Sequence, residues 1–294
     1  MTGCSTPDCN NSKQTNFREP ICPRTKLYLT LRYLATGDKM ASIAFTFRIG
    51  RSTVSTIIAD TCEYLWQALK NEMFIPSEDN WKEITKEFYT HWNFPHYSLI
   101  NKYFNFYAPP KSGSTFYNYK GSHSINLMAV ASALYRFLLV DIGAEGRHSG
   151  VFKNSLMGQL FADYKLYLPL PSLIVENGDP MPYVLVADEA FQLTNYTMRP
   201  YPGKILTYDR RIFNYRLSRA RRVVENTFGI KLVKRYLNGG TMKNFRKINT
   251  LLQTAEKIVK ACVVLHNFLM NKLLYCRPGF ADSVQTDGTI NSGE

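Results

Sequence analysis

The sequence predicts an α/β fold, a mixed sheet flanked by helices, preceded by an all-α region of helix-turn-helix type. Three observations predict it. Apolar residues recur at three- and four-residue intervals through three segments between Arg24 and Leu69, with a glycine-containing turn before the third. From about Leu99 the apolar period changes to two, over Leu99–Tyr107, Ser122–Ala131 and Tyr135–Ile142. A short apolar run, Tyr183-Val184-Leu185-Val186-Ala187, then ends on Asp188 and is followed by two long helical patterns. Strands followed by helices place the helices on the faces of a sheet.

In chain order, residues 1–22 are polar and read as a loose, disordered leader. Residues 23–75 form the helical region. Its first helix starts near Arg24, carries Leu27, Leu31 and Leu34, and stops at Gly37. Its second covers Lys39–Phe47, and Arg48-Ile49-Gly50 makes a turn whose glycine suits a positive φ. Ser52 is placed to cap the third, with Val54, Ile57, Ile58, Cys62, Leu65, Trp66 and Leu69 on one face. Arg51, Ser52, Thr53, Ser55 and Thr56 then stand at the helix start, where a helix-turn-helix touches bases and phosphates. A plain three-helix bundle packed on the main domain gives the same pattern.

Residues 76–275 form the main domain. It opens with an amphipathic helix and loop over Trp81–Phe94. The strands follow, the second and third joined tightly through Ser132-Ala133-Leu134. A short helix lies near Phe152–Phe161, and a proline-rich stretch leads to the Asp188 strand. The next helix has Asp209 as its N-cap and Phe213, Leu217, Ala220, Val224 and Phe228 on its apolar face. A last helix, Lys243–Leu274, carries Ile248, Leu251, Ala255, Ile258, Cys262, Leu265 and Leu269 as a core stripe, with His266 as a satisfied core histidine. Residues 276–294 are polar and read as a disordered tail.

The chain of 294 residues is 45% hydrophobic, enough to bury a core, and its formal net charge is +13. Such an excess suits a polyanion, nucleic acid first. It is concentrated: Arg199, Lys204, Arg210, Arg211, Arg216, Arg219, Arg221 and Arg222 face a single acid, Asp209, in the same stretch. Tyr201, Tyr208, Phe213 and Tyr215 are interleaved with them, and basic and aromatic groups together favour nucleic-acid contact over a merely solvated helix face. The six cysteines form no CxxC pair, which argues for a reducing compartment and against a disulfide or zinc framework. No secretory leader and no apolar run of membrane-spanning length stand in the sequence, so no membrane partner is expected.

One acid, Asp188, leaves a strand end, and another, Glu225, sits within the basic helix. A helix packed on that sheet can bring the two carboxylates together. Paired carboxylates suit Mg²⁺ or Mn²⁺, and a carboxylate-held metal site supports in-line attack on a phosphodiester. The alternatives remain open: Glu225 as the ion-pair partner of Arg221 or Arg222, and Asp188 as a strand terminus.

Several ordered motifs carry a resemblance. They are Leu31-Arg32-Tyr33-Leu34-Ala35-Thr36-Gly37, Trp92-Asn93-Phe94-Pro95, Ala108-Pro109-Pro110-Lys111-Ser112-Gly113-Ser114 and Tyr117-Asn118-Tyr119-Lys120-Gly121. Further along stand Val140-Asp141-Ile142-Gly143-Ala144, Ala187-Asp188-Glu189-Ala190-Phe191, and the segment from Asn214 through Arg219-Ala220-Arg221-Arg222-Val223-Val224-Glu225-Asn226. With these the chain, from Leu27 to Leu274, resembles the PIF/Harbinger family of transposases and their transposase-derived relatives.

The resemblance implies an RNase H-like core with a triad of acids, a helix-turn-helix region before it, and hydrolysis of DNA phosphodiesters with Mg²⁺ or Mn²⁺. Asp188 and Glu225 fall on the second and third acid positions, and Asn101 stands where the first aspartate belongs. The glycine that follows that aspartate in the family is missing here. A neutral amide offers oxygen without charge, so the resemblance implies an impaired nuclease. The other reading is an inactive DNA-binding or protein-interaction module. Asp141, at the end of the third strand, is the one nearby acid that could stand in, unless it only hydrogen-bonds a loop. Arg51, Thr53, Lys111, Arg210, Arg211, Arg216, Arg219, Arg221 and Arg222 are the candidate DNA contacts. The resemblance also implies a Myb-like DNA-binding partner and residence in the nucleus; the cytoplasm and a homodimer are left open.

Overall fold

In a computed structural model, the structure describes residues 20–94, 97–105, 124–142, 151–173, 176–187, 189, 191–203, 205–229, 252–272, 283–284 and 290–291. Helix α1 (Pro23–Thr36) opens on a proline and closes on Gly37, whose φ of 65° lets its N–H reach the Tyr33 carbonyl. Helix α2 (Met40–Phe47) closes differently from expectation. Arg48, not Gly50, takes the positive φ, at 53°, while Gly50 has φ −57°. The Arg48 and Ile49 N–H groups reach the Phe45 and Ala44 carbonyls, so the left-handed residue satisfies the helix end and Gly50 needs no special conformation. Helix α3 (Arg51–Leu69) starts directly after Gly50, whose carbonyl accepts the Val54 N–H; Ser52 therefore lies inside the first turn and caps nothing.

Leu29, Leu34, Ile43, Val54, Ile58 and Cys62 from these helices are fully buried. They share one apolar cluster with Leu127, Ala129 and Phe137 and with Ala255, Ile258 and Cys262 of the last helix, so the helical region is built onto the main core. Ile21 also packs on this cluster, which places the end of the expected leader against the protein. A short 3₁₀ turn at Lys70–Glu72 follows α3. Helix α4 (Glu78–Trp92) starts earlier than its apolar pattern because Ser77 and Asn80 form a reciprocal capping box.

The sheet is mixed, as its periodicity predicts. Strands β1 (Tyr97–Asn105), β2 (Ser124–Ala131) and β3 (Phe137–Ile142) form an antiparallel meander. After a small antiparallel pair, β4 (Ser172–Leu173) and β5 (Pro180–Met181), strand β6 (Leu185–Val186) pairs parallel with β1, and β7 (Thr197–Met198) parallel with β6. The order is β3-β2-β1-β6-β7. Strand β6 is shorter than the Tyr183–Ala187 run, although Val184 and Ala187 beside it are buried too. Register slips at the start of β3, where Ala131 faces Phe137 but Val130 faces Leu139. Leu138 is the extra residue, and it joins Leu139 on one face as a β-bulge requires.

The helix expected near Phe152–Phe161 is two: α5 (Val151–Asn154) and α6 (Leu156–Ala162). Ser155 divides them, its hydroxyl donating to the Phe152 carbonyl at 2.7 Å and accepting from the Gly158 N–H at 3.0 Å. Gly158 is required there, because a Cβ would lie 1.8 Å from that carbonyl oxygen. Helix α7 (Tyr208–Gly229) begins ahead of Asp209, which stands in its first turn rather than at the cap; the Thr207 carbonyl accepts the Arg211 N–H instead. Helix α8 (Leu252–Asn271) is the described part of the Lys243–Leu274 pattern. Within the expected disordered tail, β8 (Ser283–Val284) and β9 (Ile290–Asn291) pair as short antiparallel strands. Ser283 faces Asn291 and Val284 faces Ile290, so polar meets polar and apolar meets apolar across the ribbon.

The sheet separates two apolar clusters. One face packs on α1–α3, on α8 and on Val224 and Phe228 of α7. The other carries Met128, Val130 and Leu138 against Trp81, Ile84 and Phe88 of α4 and Met157 and Phe161 of α6, with Val223 of α7 in the same cluster. Val186 packs with Leu217 and Ala220 of α7, which therefore spans the sheet from β2 to β6.

Candidate functional site

Glu225 lies on the solvent side of α7 and keeps about half of its side chain exposed. Its Oε1 accepts from Arg221 Nη2 at 3.2 Å, one helical turn away. That is the ion-pair alternative realised, and it leaves the carboxylate accessible. Asp188 lies outside the described residues, as does Lys111. Two residues before Asp188, Val186 packs on the same helix that carries Glu225. Carboxylate oxygens are the donors Mg²⁺ and Mn²⁺ prefer, so the donor chemistry of Asp188 and Glu225 fits such an ion. Among the described residues, no three His, Cys, Asp or Glu side chains come together.

Asn101 falls in β1 opposite Met128, and Met128 falls opposite Asp141 in β3. The described members of this row, Met128 and Asp141, belong to the α4–α6 side: Met128 is in the cluster under those helices, and Asp141 Oδ2 accepts from the Met157 N–H of α6 at 3.4 Å. Lys102 falls in the next row, with Leu127 and Ile142, which pack on the opposite face with α7 and α8. The structure thus gives Asp141 to α6 and not to Glu225. Asp141 also borders a cavity of about 320 Å³ beside β3, lined mostly by apolar groups such as Trp66, Met73, Leu156 and Leu160.

Two of the basic residues at the start of α7 lie over aromatic rings. The Arg210 guanidinium lies over the Tyr201 ring at 4.9 Å, and Arg211 over Tyr208 at 6.0 Å. The Asn214 side chain clamps the Tyr201 backbone, accepting its N–H at 2.8 Å and donating to its carbonyl at 3.0 Å. This fixes the 199–203 segment on α7, so the aromatic platform under Arg210 is preformed. Arg216 is exposed on α7, and Arg51 and Thr53 are exposed at the start of α3. Arg219 Nε, Arg222 Nη1 and Asn226 Nδ2 are different: they are buried and lack a hydrogen-bond partner.

Asn226 and Asn214 were not singled out by sequence reasoning, although both stand inside the segment that carries the resemblance. Asn267 was also missed. Its amide pairs with the N–H and carbonyl of Phe137 at 2.9 and 2.7 Å and donates to the Glu72 carbonyl at 3.0 Å. The signal was a polar pair, His266-Asn267, inside an otherwise apolar run. His266 is the expected core histidine, 1% exposed, its Nε2 lying 2.6 Å from the Tyr135 carbonyl. Burial lowers its pKa to about 4. Cys62 and Cys262 are buried thiols; burial raises both, Cys62 to about 12. No described helix is long and apolar enough to cross a membrane.

A family model described as DDE superfamily endonuclease matches residues 103–267, more than half of the chain. Protein ALP1-like of Arabidopsis thaliana is 25% identical over 277 residues, with 88% of this chain and 64% of that protein covered. The chain thus spans just under two thirds of that relative's length. No solved structure matches.

Proposed function

The chain belongs to the DDE superfamily endonucleases, and from that membership we propose a transposase-derived, nuclease-like protein that acts on DNA and whose hydrolytic step is impaired. The observation that supports the reading is where Glu225 lies. Glu225 is accessible on α7, and the same helix packs on Val186, just ahead of Asp188. Asp188 and Glu225 would hold Mg²⁺ or Mn²⁺; such an ion, when bound, lowers the pKa of a bound water and neutralises phosphate charge. This chain's own residues do the rest. Arg221 orients the Glu225 carboxylate. Arg210, Arg211 and Arg216, with Lys111, Arg51 and Thr53, hold the DNA backbone, and Arg219, Arg221 and Arg222 extend that surface.

The antiparallel meander whose first strand pairs parallel with β6 supports an RNase H-like core. The exposed start of α3, after a tight turn from α2, supports the helix-turn-helix reading. A Myb-like DNA-binding partner, nuclear residence and a homodimer extend the proposal.

A second reading, a binding module without hydrolysis, has its own observation. Asn101 replaces the first acid; it stands opposite Met128, and Met128 opposite Asp141, whose carboxylate accepts from the Met157 N–H of α6 and is not paired with Glu225. The missing glycine adds to this, since one residue fewer after Asn101 reverses the faces of the side chains that follow it.

Strand cleavage of supercoiled plasmid with Mn²⁺ separates the two. Cleavage by the natural chain that disappears in an Asp188→Ala, Glu225→Ala double variant is the outcome expected of an impaired nuclease. No cleavage by the natural chain, with activity gained after Asn101→Asp and insertion of a glycine behind it, marks the binding module. No cleavage by either chain defeats the nuclease assignment.

A further inference from the structure

The arginines of α7 divide by what they touch. Arg221 is engaged by Glu225, and Arg210 lies over an aromatic ring. Arg219 Nε, Arg222 Nη1 and Asn226 Nδ2 are buried donors with no acceptor. Buried donors are nearly always paired in folded proteins, so three on one helix mark a place for an acceptor. Their spacing, three and then four residues, puts them in one stripe along α7, about 10 Å long at roughly 1.5 Å per residue. The stripe runs beside Val223, which is buried, and Glu225 follows it one residue before Asn226. Among the described residues, Glu225 is the one carboxylate paired with an α7 arginine, and it serves Arg221.

The missing partner is therefore defined by chemistry. It must accept several hydrogen bonds at once, and it must carry negative charge, because two of the three groups are permanent cations. A phosphate oxyanion meets both conditions. We propose that Arg219, Arg222 and Asn226 form a phosphate-holding stripe beside Glu225, occupied by a backbone phosphate of DNA. The proposal rests on the nuclease-like reading and deepens it. Arg210, Arg211 and Arg216 attract DNA broadly, whereas this stripe fixes one or two phosphates next to the family acid. Asn226 thereby becomes a positioning residue for the substrate.

The test uses the full chain without divalent metal. Binding of a short DNA duplex is measured by fluorescence anisotropy over a salt series, and thermal melting is followed with and without inorganic phosphate. Arg222→Gln is expected to weaken duplex binding about tenfold, the loss of one charged hydrogen bond. It should also reduce the slope of log K against log salt by about 0.9. Asn226→Asp places a carboxylate four residues after Arg222, where it supplies the missing acceptor from within the protein. That variant should melt no lower than the natural chain, yet bind duplex at least several-fold more weakly. If Arg222→Gln does not fold, Asn226→Asp decides alone. A melting response to inorganic phosphate that Asn226→Asp abolishes identifies a site for any phosphate oxyanion; a response to duplex alone identifies the DNA backbone. Natural duplex affinity in Asn226→Asp, or natural affinity and slope in Arg222→Gln, overturns the proposal. Plasmid cleavage without this binding pattern leaves the nuclease reading and removes the stripe; the binding pattern without cleavage does the reverse.

Discussion

His266 shows how one residue ties the fold to pH. Its ring is enclosed between Phe137, whose ring centroid is 4.9 Å away, and the Tyr135 carbonyl. Burial favours the neutral imidazole and takes the pKa from the model-peptide 6.5 to about 4. Between those values the unfolded chain binds a proton that the folded chain refuses. Stability should thus rise with pH through this window, and be lost as pH falls from about 6.5 towards 4. The loss at the acid end is of the order of 3 kcal/mol, from about 1.4 kcal/mol per pKa unit. Urea melts at a series of pH values check it: a His266→Gln variant should be less stable at neutral pH but flatter across this window. An equally steep profile in the variant would assign the dependence to other groups. The identity of His266 as a core residue was readable from its neighbours in the sequence. What it touches was not, because Tyr135 is brought to it by a hairpin far away in the chain.

At the scale of elements, the junction between α8 and β3 has most of its polar contacts in one side chain. Asn267 pairs with both backbone groups of Phe137 as a neighbouring strand would, and also holds the Glu72 carbonyl in the 3₁₀ turn after α3. An edge strand otherwise presents unpaired backbone groups. Asn267→Leu keeps the size and removes these bonds, leaving buried backbone groups unsatisfied. It should cost about 2–4 kcal/mol of stability by denaturant melting, at one to three per orphaned group with partial relaxation. A loss under about 1 kcal/mol would mean that water replaces the amide. Helix α4 has a comparable tie, the Trp81 indole N–H donating to the Leu166 carbonyl at 2.6 Å. Helices α3 and α7 were legible in their apolar periods, and the caps were less so. Ser52 and Asp209 are good capping residue types, but Gly50 and Thr207 hold those places because the preceding turns deliver the chain there.

Over the whole molecule, charge dominates what the surface can do. The formal net charge is +13, and α7 carries six arginines against Asp209 and Glu225, two of the arginines lying over aromatic rings. Replacing Arg210, Arg211 and Arg216 together by glutamine should weaken binding to unrelated duplexes equally and lower the salt slope by up to about 3, near 0.9 per phosphate contact. Anisotropy titrations with two duplexes of different sequence check this. Loss confined to one sequence would mean that these residues read bases.

The helices, the change of period into strands, the basic stretch, the superfamily and the candidate acids Asp188 and Glu225 are legible in the chain, because each is written in local spacing or in an unbroken motif. Which groups meet depends on the packing of the folded chain. It tied Glu225 to Arg221, sent Asp141 to α6, put Asn101 in the row of Met128, and left three donors on α7 without an acceptor. The physical reason is register and face. A strand's alternation names two faces without saying which helix covers each. A helix's stripe names a direction without saying what lies in it. Both are settled only when β1, β2, β3 and β6 are paired and α7 is laid across them.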